Sequence, residues 1–255
     1  MTIDIDQFMC RTDNFGVLIR DRKTGETALI DAPEEGPILD AIERTGWTPT
    51  LILTTHHHPD HVEANLALKE RFGLKIVGPA KEKAKIPGID ETVDGGSTFG
   101  FGDEQVRVIF TPGHTLGHVS YHFPGAKVLF AADTLFALGC GRLLEGTAAQ
   151  MWQSLKTLSA LPPETAVYCG HEYTQSNARF ALSVDPDNEA LKQRAAEIDR
   201  LRADGKPTLP TTIGRELETN PFLRPHDAKI RRTLGMENAS DEAVFAEIRK
   251  RKDNF

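Results

Sequence analysis

The sequence has few cysteines for its length, only three in 255 residues. Cys10, Cys140 and Cys169 lie far apart, so they provide neither a disulfide framework nor the closely spaced pairs of a cysteine zinc site. We therefore expect a protein of a reducing compartment, the cytoplasm. Cys140 and Cys169 are interpreted as small buried apolar residues, which is the usual setting of a free thiol.

The sequence also lacks long apolar runs and an excess of positive charge. No run approaches the roughly 18 residues needed to span a bilayer. Asp4 and Asp6 stand where a signal peptide would be apolar. A net charge of −7 argues against a general nucleic-acid binder. With 39% hydrophobic and 26% charged residues, the composition is typical of a soluble globular protein of one large or two modest domains.

Short apolar segments between polar turns predict strands throughout the first two thirds of the chain. They span residues 3–8, 15–20, 27–32, 51–53, 75–77, 97–101, 105–110, 118–123, 127–132 and 167–169. Helical periodicity and capping residues predict helices over 34–45, 62–71, 147–161, from 185 to Gly205, and from Ser240 onward. Since only helices are expected after residue 171, we predict a mixed domain over 1–172 and a helical domain over 173–255.

The most informative segment is a loop between a predicted strand and a helix, Thr54–His61. It holds four histidines and one aspartate within six consecutive positions. Residues of ligand type stand at His56, His58, Asp60 and His61, and imidazole and carboxylate groups are ligands that zinc and similar ions accept. The alternative, a polar loop without a function, would require this composition to arise by chance.

Three further residues of ligand type each close an apolar strand: His114, Asp133 and His171. Strands of one sheet lie side by side, so their ends can collect ligands from distant positions at one edge. Seven candidates are too many for one tetrahedral ion. They suffice for two ions that share a carboxylate and activate a bridging water.

In order and spacing these residues resemble the metallo-β-lactamase superfamily, and within it glyoxalase II, the hydroxyacylglutathione hydrolases. The likeness covers nearly the whole chain. The segments that carry it are Thr55–His61, Thr111–Thr115, Asp133–Phe136, Gly139–Arg142, Glu145–Thr147, Tyr168–Thr174, Asn220–Arg224 and Lys252-Asp253.

The resemblance implies a four-layer αββα sandwich followed by a small all-α domain. It implies two metal ions, most simply zinc, with iron or manganese as alternatives. One ion is expected on His56, His58 and His114, the other on Asp60, His61 and His171, with Asp133 bridging them. Asp60 and Asp133 are thus the expected catalytic carboxylates.

The implied reaction is hydrolysis of S-D-lactoylglutathione and similar thioesters to D-lactate and glutathione, the second step of methylglyoxal detoxification. A metal-activated hydroxide attacks the thioester carbonyl and a thiolate leaves. By resemblance, Arg142, Tyr173, Arg249 and Lys252 hold the glutathione part. Arg249 and Lys252 are three apart on a helix and share a face, although a basic run such as 249–252 is otherwise a solvated helix end. A monomer is expected.

Two positions depart from the family pattern. Glu63-Ala64 stand where the family often has two glycines, so a different helix start is expected. Leu144 stands where the family often has tyrosine, which removes one hydroxyl from the thiol-ligand site.

The other histidines receive more modest interpretations. His57 is expected to face away from the ligands. His118 is expected either to orient a ligand or to pack at a strand end, His122 to be half-exposed on a strand, and His226 to be solvated.

Three rival functions remain open at this stage. One is a mononuclear-iron dioxygenase of glutathione persulfide on the same fold, disfavoured by the second ligand set. A lactonase or β-lactamase-like hydrolase would lack the helical tail. A purely structural metal site is disfavoured because such sites tend to be rich in sulfur.

Overall fold

The computed structural model describes residues 2–255, and their contacts form two compact units. The first unit runs to Phe110 and resumes over Leu116–Phe130, whereas the second holds Thr111–Thr115 and Ala131–Phe255. This division reflects which residues contact one another. The boundary predicted from the sequence, after residue 172, divides the chain differently and stays a prediction. No helix among residues 2–255 has the length and apolar character needed to cross a membrane.

The first unit contains a mixed sheet with its strands in sequence order. The elements are β1 (Ile3–Cys10), β2 (Asn14–Asp21), β3 (Thr27–Ile30), α1 (Glu35–Thr45), β4 (Leu51–Leu53), α2 (Pro59–Val62), α3 (Asn65–Phe72), β5 (Lys75–Pro79), a 3-10 helix (Ala80–Lys85) and β6 (Glu91–Val93). β1, β2 and β3 pair antiparallel, and β3 to β6 pair parallel. Parallel strands need crossover connections. α1 connects β3 to β4, α2 and α3 connect β4 to β5, and the 3-10 helix connects β5 to β6.

The helices bury one face against this sheet. Ile38 of α1 and Leu68 of α3 are fully buried with Leu29 and Ile52 of the strands. A continuous apolar strand such as β4 is expected wherever a parallel sheet is covered. The histidine loop therefore leaves a rigid, buried strand end.

Antiparallel strands follow along the chain: β7 (Thr98–Phe101), β8 (Glu104–Phe110), β9 (Val119–Phe123) and β10 (Val128–Ala132). They belong to the first unit except for the last two residues of β10, which are counted in the second. The hydroxyl of Tyr121 in β9 donates to the carbonyl of Thr54 at 2.8 Å, and Tyr121 is fully buried. This bond fixes the beginning of the histidine loop.

The second unit is mostly helical. Its elements are β11 (Leu135–Phe136), β12 (Gly139–Cys140), α4 (Ala148–Ser159), β13 (Ala166–Cys169), α5 (Thr174–Val184), α6 (Glu189–Ala203), β14 (Thr211–Thr212), α7 (Ile213–Thr219), a 3-10 helix (Pro221–Leu223), α8 (Ala228–Leu234) and α9 (Asp241–Asp253). β11 and β12 form a hairpin, and β13 pairs antiparallel with β14. Leu138, Ala181, Leu191 and Ile198 form part of its core.

Most predicted elements are confirmed to within a few residues, including the capped starts of α4 and α9. Thr147 and Gln150 form the expected capping box, and the Ser240 side chain accepts from the backbone N–H of Ala243. Cys140 and Cys169 are buried, as expected, and Cys10 is buried too. Burial raises the thiol pKa of Cys10 to about 12 and that of Cys140 to about 11.

The predicted helix over 62–71 is wrong as one element, because the structure has α2 and α3 in its place. The backbone N–H of Ala64 donates to the carbonyl of Ala32 at 3.0 Å, and Ala32 N–H donates to His61 O at 2.8 Å. These two bonds tie the chain back to the residues after β3 and interrupt the helical ladder.

The helix predicted from residue 185 begins later, at Glu189, with the Asn188 side chain as its cap. The Asn188 amide also donates to Asp185 at 2.8 Å, which holds these two residues in a turn. The sequence interpretation missed α5, α7, α8 and several short strands. His122 was also wrongly expected to be half-exposed: it is 5% exposed, and burial beside Arg107 lowers its pKa.

Candidate metal centre

The histidine loop begins on a buried strand end and runs into a short helix. Thr54, Thr55 and His56 are fully buried, and Pro59 opens α2 with His58 at its N-cap. The carboxylate of Asp31 accepts from the Thr55 backbone N–H at 2.7 Å and from its hydroxyl at 2.8 Å. The loop is thus held by backbone and side-chain bonds at its first residues.

His56 and His58 point ring nitrogens at one another, with Nε2 of His56 3.1 Å from Nδ1 of His58. Two nitrogens bound to one tetrahedral zinc at about 2.0–2.1 Å would be roughly 3.3 Å apart. This separation fits two ligands of a single ion. His118 is also buried, and its ring centroid lies 4.9 Å from that of His56.

His61 is oriented by a carboxylate that the sequence interpretation missed. Its Nδ1 lies 2.8 Å from Oδ2 of Asp31, and both side chains are buried. With Nδ1 donating to the carboxylate, Nε2 keeps a lone pair, which is the usual arrangement behind a metal-binding imidazole. Asp31 follows β3 directly, so the strand-end rule that found His114, Asp133 and His171 could have found it too.

Asp60 is half-buried and is held by Asn14, whose amide donates to its carboxylate and to its carbonyl, both at 3.1 Å. Its Oδ2 lies 3.8 Å from Nε2 of His61. His57, by contrast, is directed at Glu82: its Nδ1 and its backbone N–H lie 2.8 and 2.7 Å from Oε2 of that residue. Glu82 also accepts from the backbone N–H of Gly117 and was not anticipated.

The second unit brings together the three ligand candidates that it contains. Oδ2 of Asp133 lies 3.3 Å from Nε2 of His114 and 3.4 Å from Nε2 of His171, and all three side chains are buried. One carboxylate oxygen thus stands between two imidazole nitrogens at ligand-to-ligand spacing. Both separations are close to the distance expected between two ligands of one metal ion.

The backbone around Asp133 is tightly constrained. Nδ1 of His114 donates to the carbonyl of Arg142 at 2.9 Å, which leaves Nε2 facing Asp133. A Cβ added to Gly141 would lie 1.9 Å from the carbonyl oxygen of Asp133, so only glycine permits this close approach.

The four residues expected to hold glutathione all lie in the second unit. Arg142 is exposed, and Tyr173 is 39% exposed with its ring stacked on His171 at a centroid distance of 4.6 Å. Lys252 is half-buried and donates to Ser176. Its ammonium pKa is lowered to about 8 by burial and by the positive charges of Arg249 and Arg142.

Arg249 is more buried than its expected role suggests, with 4% of it exposed. Its guanidinium donates to Cys140 O at 2.8 Å, pairs with Asp253 at 2.8 Å and lies over the ring of Phe222. Arg249 therefore supports the fold around it in addition to any contact with a substrate.

The donor chemistry fits divalent metal ions. The side chains in question are imidazoles and carboxylates, several of them buried and with Nδ1 already engaged by a carboxylate or a carbonyl. Nitrogen and oxygen donors of this kind suit zinc, iron and manganese. These His and Asp clusters, together with the fold, indicate that the protein binds divalent metal.

Comparison with protein-family models places the chain in the metallo-β-lactamase superfamily, whose model matches residues 14–171. A second model, of the hydroxyacylglutathione hydrolase C-terminus, matches residues 172–255. Hydroxyacylglutathione hydrolases of Mesorhizobium japonicum and Rhizobium meliloti are 71% and 68% identical to this chain, over 100% and 99% of both lengths. The chain therefore belongs to the hydroxyacylglutathione hydrolase family, glyoxalase II.

Solved structures agree with this fold. The ETHE1 protein of Myxococcus xanthus superposes with a TM-score of 0.70 at 26% identity, covering 97% of this chain and 90% of that one. TTHA1623, solved in a di-iron-bound form, superposes with a TM-score of 0.63 at 26% identity, covering 86% and 100%. The predicted fold class, a metallo-β-lactamase domain followed by a helical C-terminal domain, is confirmed.

Proposed function

We propose that this protein hydrolyses the thioester of S-D-lactoylglutathione, and of similar S-2-hydroxyacylglutathiones, to D-lactate and glutathione. Membership of the hydroxyacylglutathione hydrolases supports the reaction class, a metal-dependent hydrolysis. The observation that carries the mechanism is the position of Asp133, whose Oδ2 stands between His114 and His171. The reaction would form the second step of methylglyoxal detoxification.

We assign the metal ligands as two sets joined by one carboxylate. His56, His58 and His114 would hold one ion, Asp60, His61 and His171 would hold the other, and Asp133 would contribute to both. The 3.1 Å separation of the His56 and His58 nitrogens supports the first set, and the bond from His61 to Asp31 supports the second.

Two bound divalent ions supply a hydroxide at neutral pH and stabilise negative charge that develops on a carbonyl oxygen. The chain's own residues prepare for that chemistry. Asp31 and the Arg142 carbonyl accept hydrogen bonds from Nδ1 of His61 and His114, respectively. In this tautomer Nε2 of each ring carries a lone pair that can bind a metal ion. Asn14 orients Asp60. Because a thiolate is a good leaving group, no strong general acid is required of the protein.

The glutathione part offers two carboxylates, which call for cations. Arg142, Lys252 and Arg249 provide them, and Tyr173 adds a ring and a hydroxyl beside His171. Leu144 is 60% exposed and offers no hydroxyl at its position. We place this binding function in the helical domain over 173–255, together with Arg142 of the catalytic domain over 1–172. Zinc as the metal, a monomeric state and a cytoplasmic location remain our predictions.

The assignment is tested by metal analysis together with hydrolysis of S-D-lactoylglutathione. We expect close to two ions per chain. Asp133→Ala should lower metal content and abolish activity, because both neighbouring imidazoles lose the shared carboxylate. The control is Asp187→Ala, which changes an exposed aspartate of the same unit. Asp133→Ala with the metal content of wild type would contradict the bridging role.

The rival activity, oxidation of glutathione persulfide, consumes oxygen, whereas hydrolysis does not. We expect thioester cleavage at an equal rate in air-saturated and oxygen-free buffer, because water is the co-substrate. The rival activity is tested by measuring oxygen uptake with an oxygen electrode when glutathione persulfide is the substrate. Rapid oxygen uptake without thioester cleavage would overturn the assignment.

A further inference from the structure

The hairpin β11–β12 connects two parts of the proposed metal centre. Asp133 precedes the hairpin, and Arg142, whose carbonyl accepts from His114, follows it. Two non-glycine residues beside or within it have left-handed backbone angles, Ala132 with φ 39° and Leu138 with φ 58°. Such conformations persist only where the surrounding structure enforces them. The hairpin therefore needs an external support.

That support comes from polar side chains of the helical domain over 173–255, which form hydrogen bonds with the hairpin backbone. Leu138 N–H donates to Glu216 at 2.8 Å, and the Asn220 amide donates to Phe136 O at 3.2 Å and to Gly139 O at 3.0 Å. The Asn177 amide adds a bond to the carbonyl of Ala137, and Arg249 adds one to the carbonyl of Cys140. Every residue from Phe136 to Cys140 thus has a backbone polar group bonded from outside the hairpin.

The two central residues are the least accessible ones. Glu216 and Asn220 are both 0% exposed. The Glu216 carboxylate also pairs with the buried Arg194 and accepts from Thr211 Oγ1 at 2.6 Å, while the Asn220 amide nitrogen lies 3.0 Å from its other oxygen. A core packed with apolar side chains is often as stable as one that contains a buried ion pair. A fully bonded network instead fixes the backbone position that it contacts.

We propose that Glu216 and Asn220 are positioning residues for the metal centre. They hold the hairpin so that the Asp133 carboxylate, at its start, and the Arg142 carbonyl, at its end, keep fixed positions relative to His114 and His171. The inference rests on the proposed function, since it presupposes that these side chains hold metal. The inference gives the helical domain over 173–255 a role in metal retention, in addition to binding glutathione.

The test compares two asparagines that have the same two tasks. The Asn220 side chain caps Phe222 N–H and donates its amide to the hairpin. The Asn188 side chain caps Leu191 N–H and donates its amide to Asp185 and Glu218, away from the hairpin. Serine at either position keeps a capping oxygen and removes the amide donor. Asn188→Ser is therefore the matched control for Asn220→Ser.

The first measurement is transfer of zinc from the loaded protein to a chromophoric chelator, and the second is the visible spectrum of the cobalt-substituted protein. Because loss of outer partners typically weakens metal binding about 10–100-fold, we expect Asn220→Ser to release zinc at least about tenfold faster than wild type. Its cobalt spectrum should shift, and kcat should fall more than KM rises. Asn188→Ser should match wild type in zinc release and spectrum, whatever its thermal midpoint.

Glu216→Gln provides a second variant with nearly the same shape, and its folding is checked by circular dichroism because Arg194 loses its counter-charge. A folded Glu216→Gln variant should also release zinc faster than wild type. If Glu216→Gln does not fold, the comparison of Asn220→Ser with Asn188→Ser decides the question. The inference would be overturned if Asn220→Ser released zinc at the wild-type rate and gave the wild-type cobalt spectrum. A wild-type protein that holds no metal would instead refute the proposed function, so the two failures are distinguishable.

Discussion

At the scale of single residues, the ligand candidates are organised by partners that the sequence did not reveal. Asp31 orients His61, Asn14 orients Asp60, and the Arg142 carbonyl orients His114. The candidates themselves could be recognised from residue type and strand-end position. Among their partners, Asp31 follows β3 directly, so the strand-end rule could have found it. Asn14 and the backbone carbonyl of Arg142 carry no such signal in the sequence.

Lys252 leads to a prediction about pH. Its pKa of about 8 reflects burial first and then the charges of Arg249 and Arg142, partly offset by Asp253. A lysine is cationic below its pKa and neutral above it, so carboxylate binding should weaken as the pH rises through 8. We expect KM to rise by up to about tenfold between pH 7 and pH 9, because the cationic share of such a lysine falls from about nine tenths to about one tenth over this range.

The control for this prediction is Lys252→Arg, which keeps its charge over the whole range while every other group, including the substrate's amino group, still titrates. Its KM should rise much less. Lys252→Ala should have a high KM at both pH values and an unchanged metal content. Parallel KM profiles for wild type and Lys252→Arg would rule out Lys252 as a substrate contact.

At the scale of elements, the sequence predicted what local chemistry decides. Strands such as β4 and β8 have the expected apolar patterns, and α4 and α9 begin at recognisable caps. It failed where tertiary bonds decide. The break between α2 and α3 depends on Ala64 donating to a residue more than thirty positions away.

The missed elements α7 and α8 have seven residues each, too few to show a helical period. α5 was missed although it has eleven residues and buries Phe180 and Ala181. Its stabilisation comes from packing against α6, and isolated helices of this length are marginal on their own. Packing of this kind cannot be read from the segment itself.

The capping box of α4 provides a prediction about stability. Thr147→Ala removes the oxygen that accepts from the Gln150 N–H, which should cost about 1 kcal/mol and lower the thermal midpoint by roughly 2–4 °C. Thr157→Ala is the matched control, because Thr157 is exposed in the interior of the same helix. Alanine is a better helix former than threonine, so this control should be neutral or stabilising. Equal midpoints for the two variants would contradict the capping role.

At the scale of the whole molecule, two properties of the sequence correspond to two tasks. Residues 1–172 carry a net charge of −8 and six of the seven ligand candidates precede residue 134, whereas residues 173–255 carry +1 and include Arg249 and Lys252. An acidic, histidine-rich segment suits cations, and a segment with basic residues suits an anionic thioester. The family models over 14–171 and 172–255 follow the same order along the chain.

Metal removal should lower the stability of the whole protein. The proposed ligands run from His56 to His171, a span of sequence that an unfolded chain does not bring together, so metal binding favours the folded state. An ion at a free concentration 100 times its Kd adds about 2.7 kcal/mol, which corresponds to a thermal midpoint higher by roughly 5–10 °C in a protein of this size. Calorimetry of chelator-treated protein, scanned at one rate before and after zinc is restored, measures this shift. Asp133→Ala should recover much less of it than wild type, because its imidazoles lack the shared carboxylate. A wild-type midpoint that does not move, in protein shown by metal analysis to have lost and regained two ions, would mean that the metals act in the reaction without stabilising the fold.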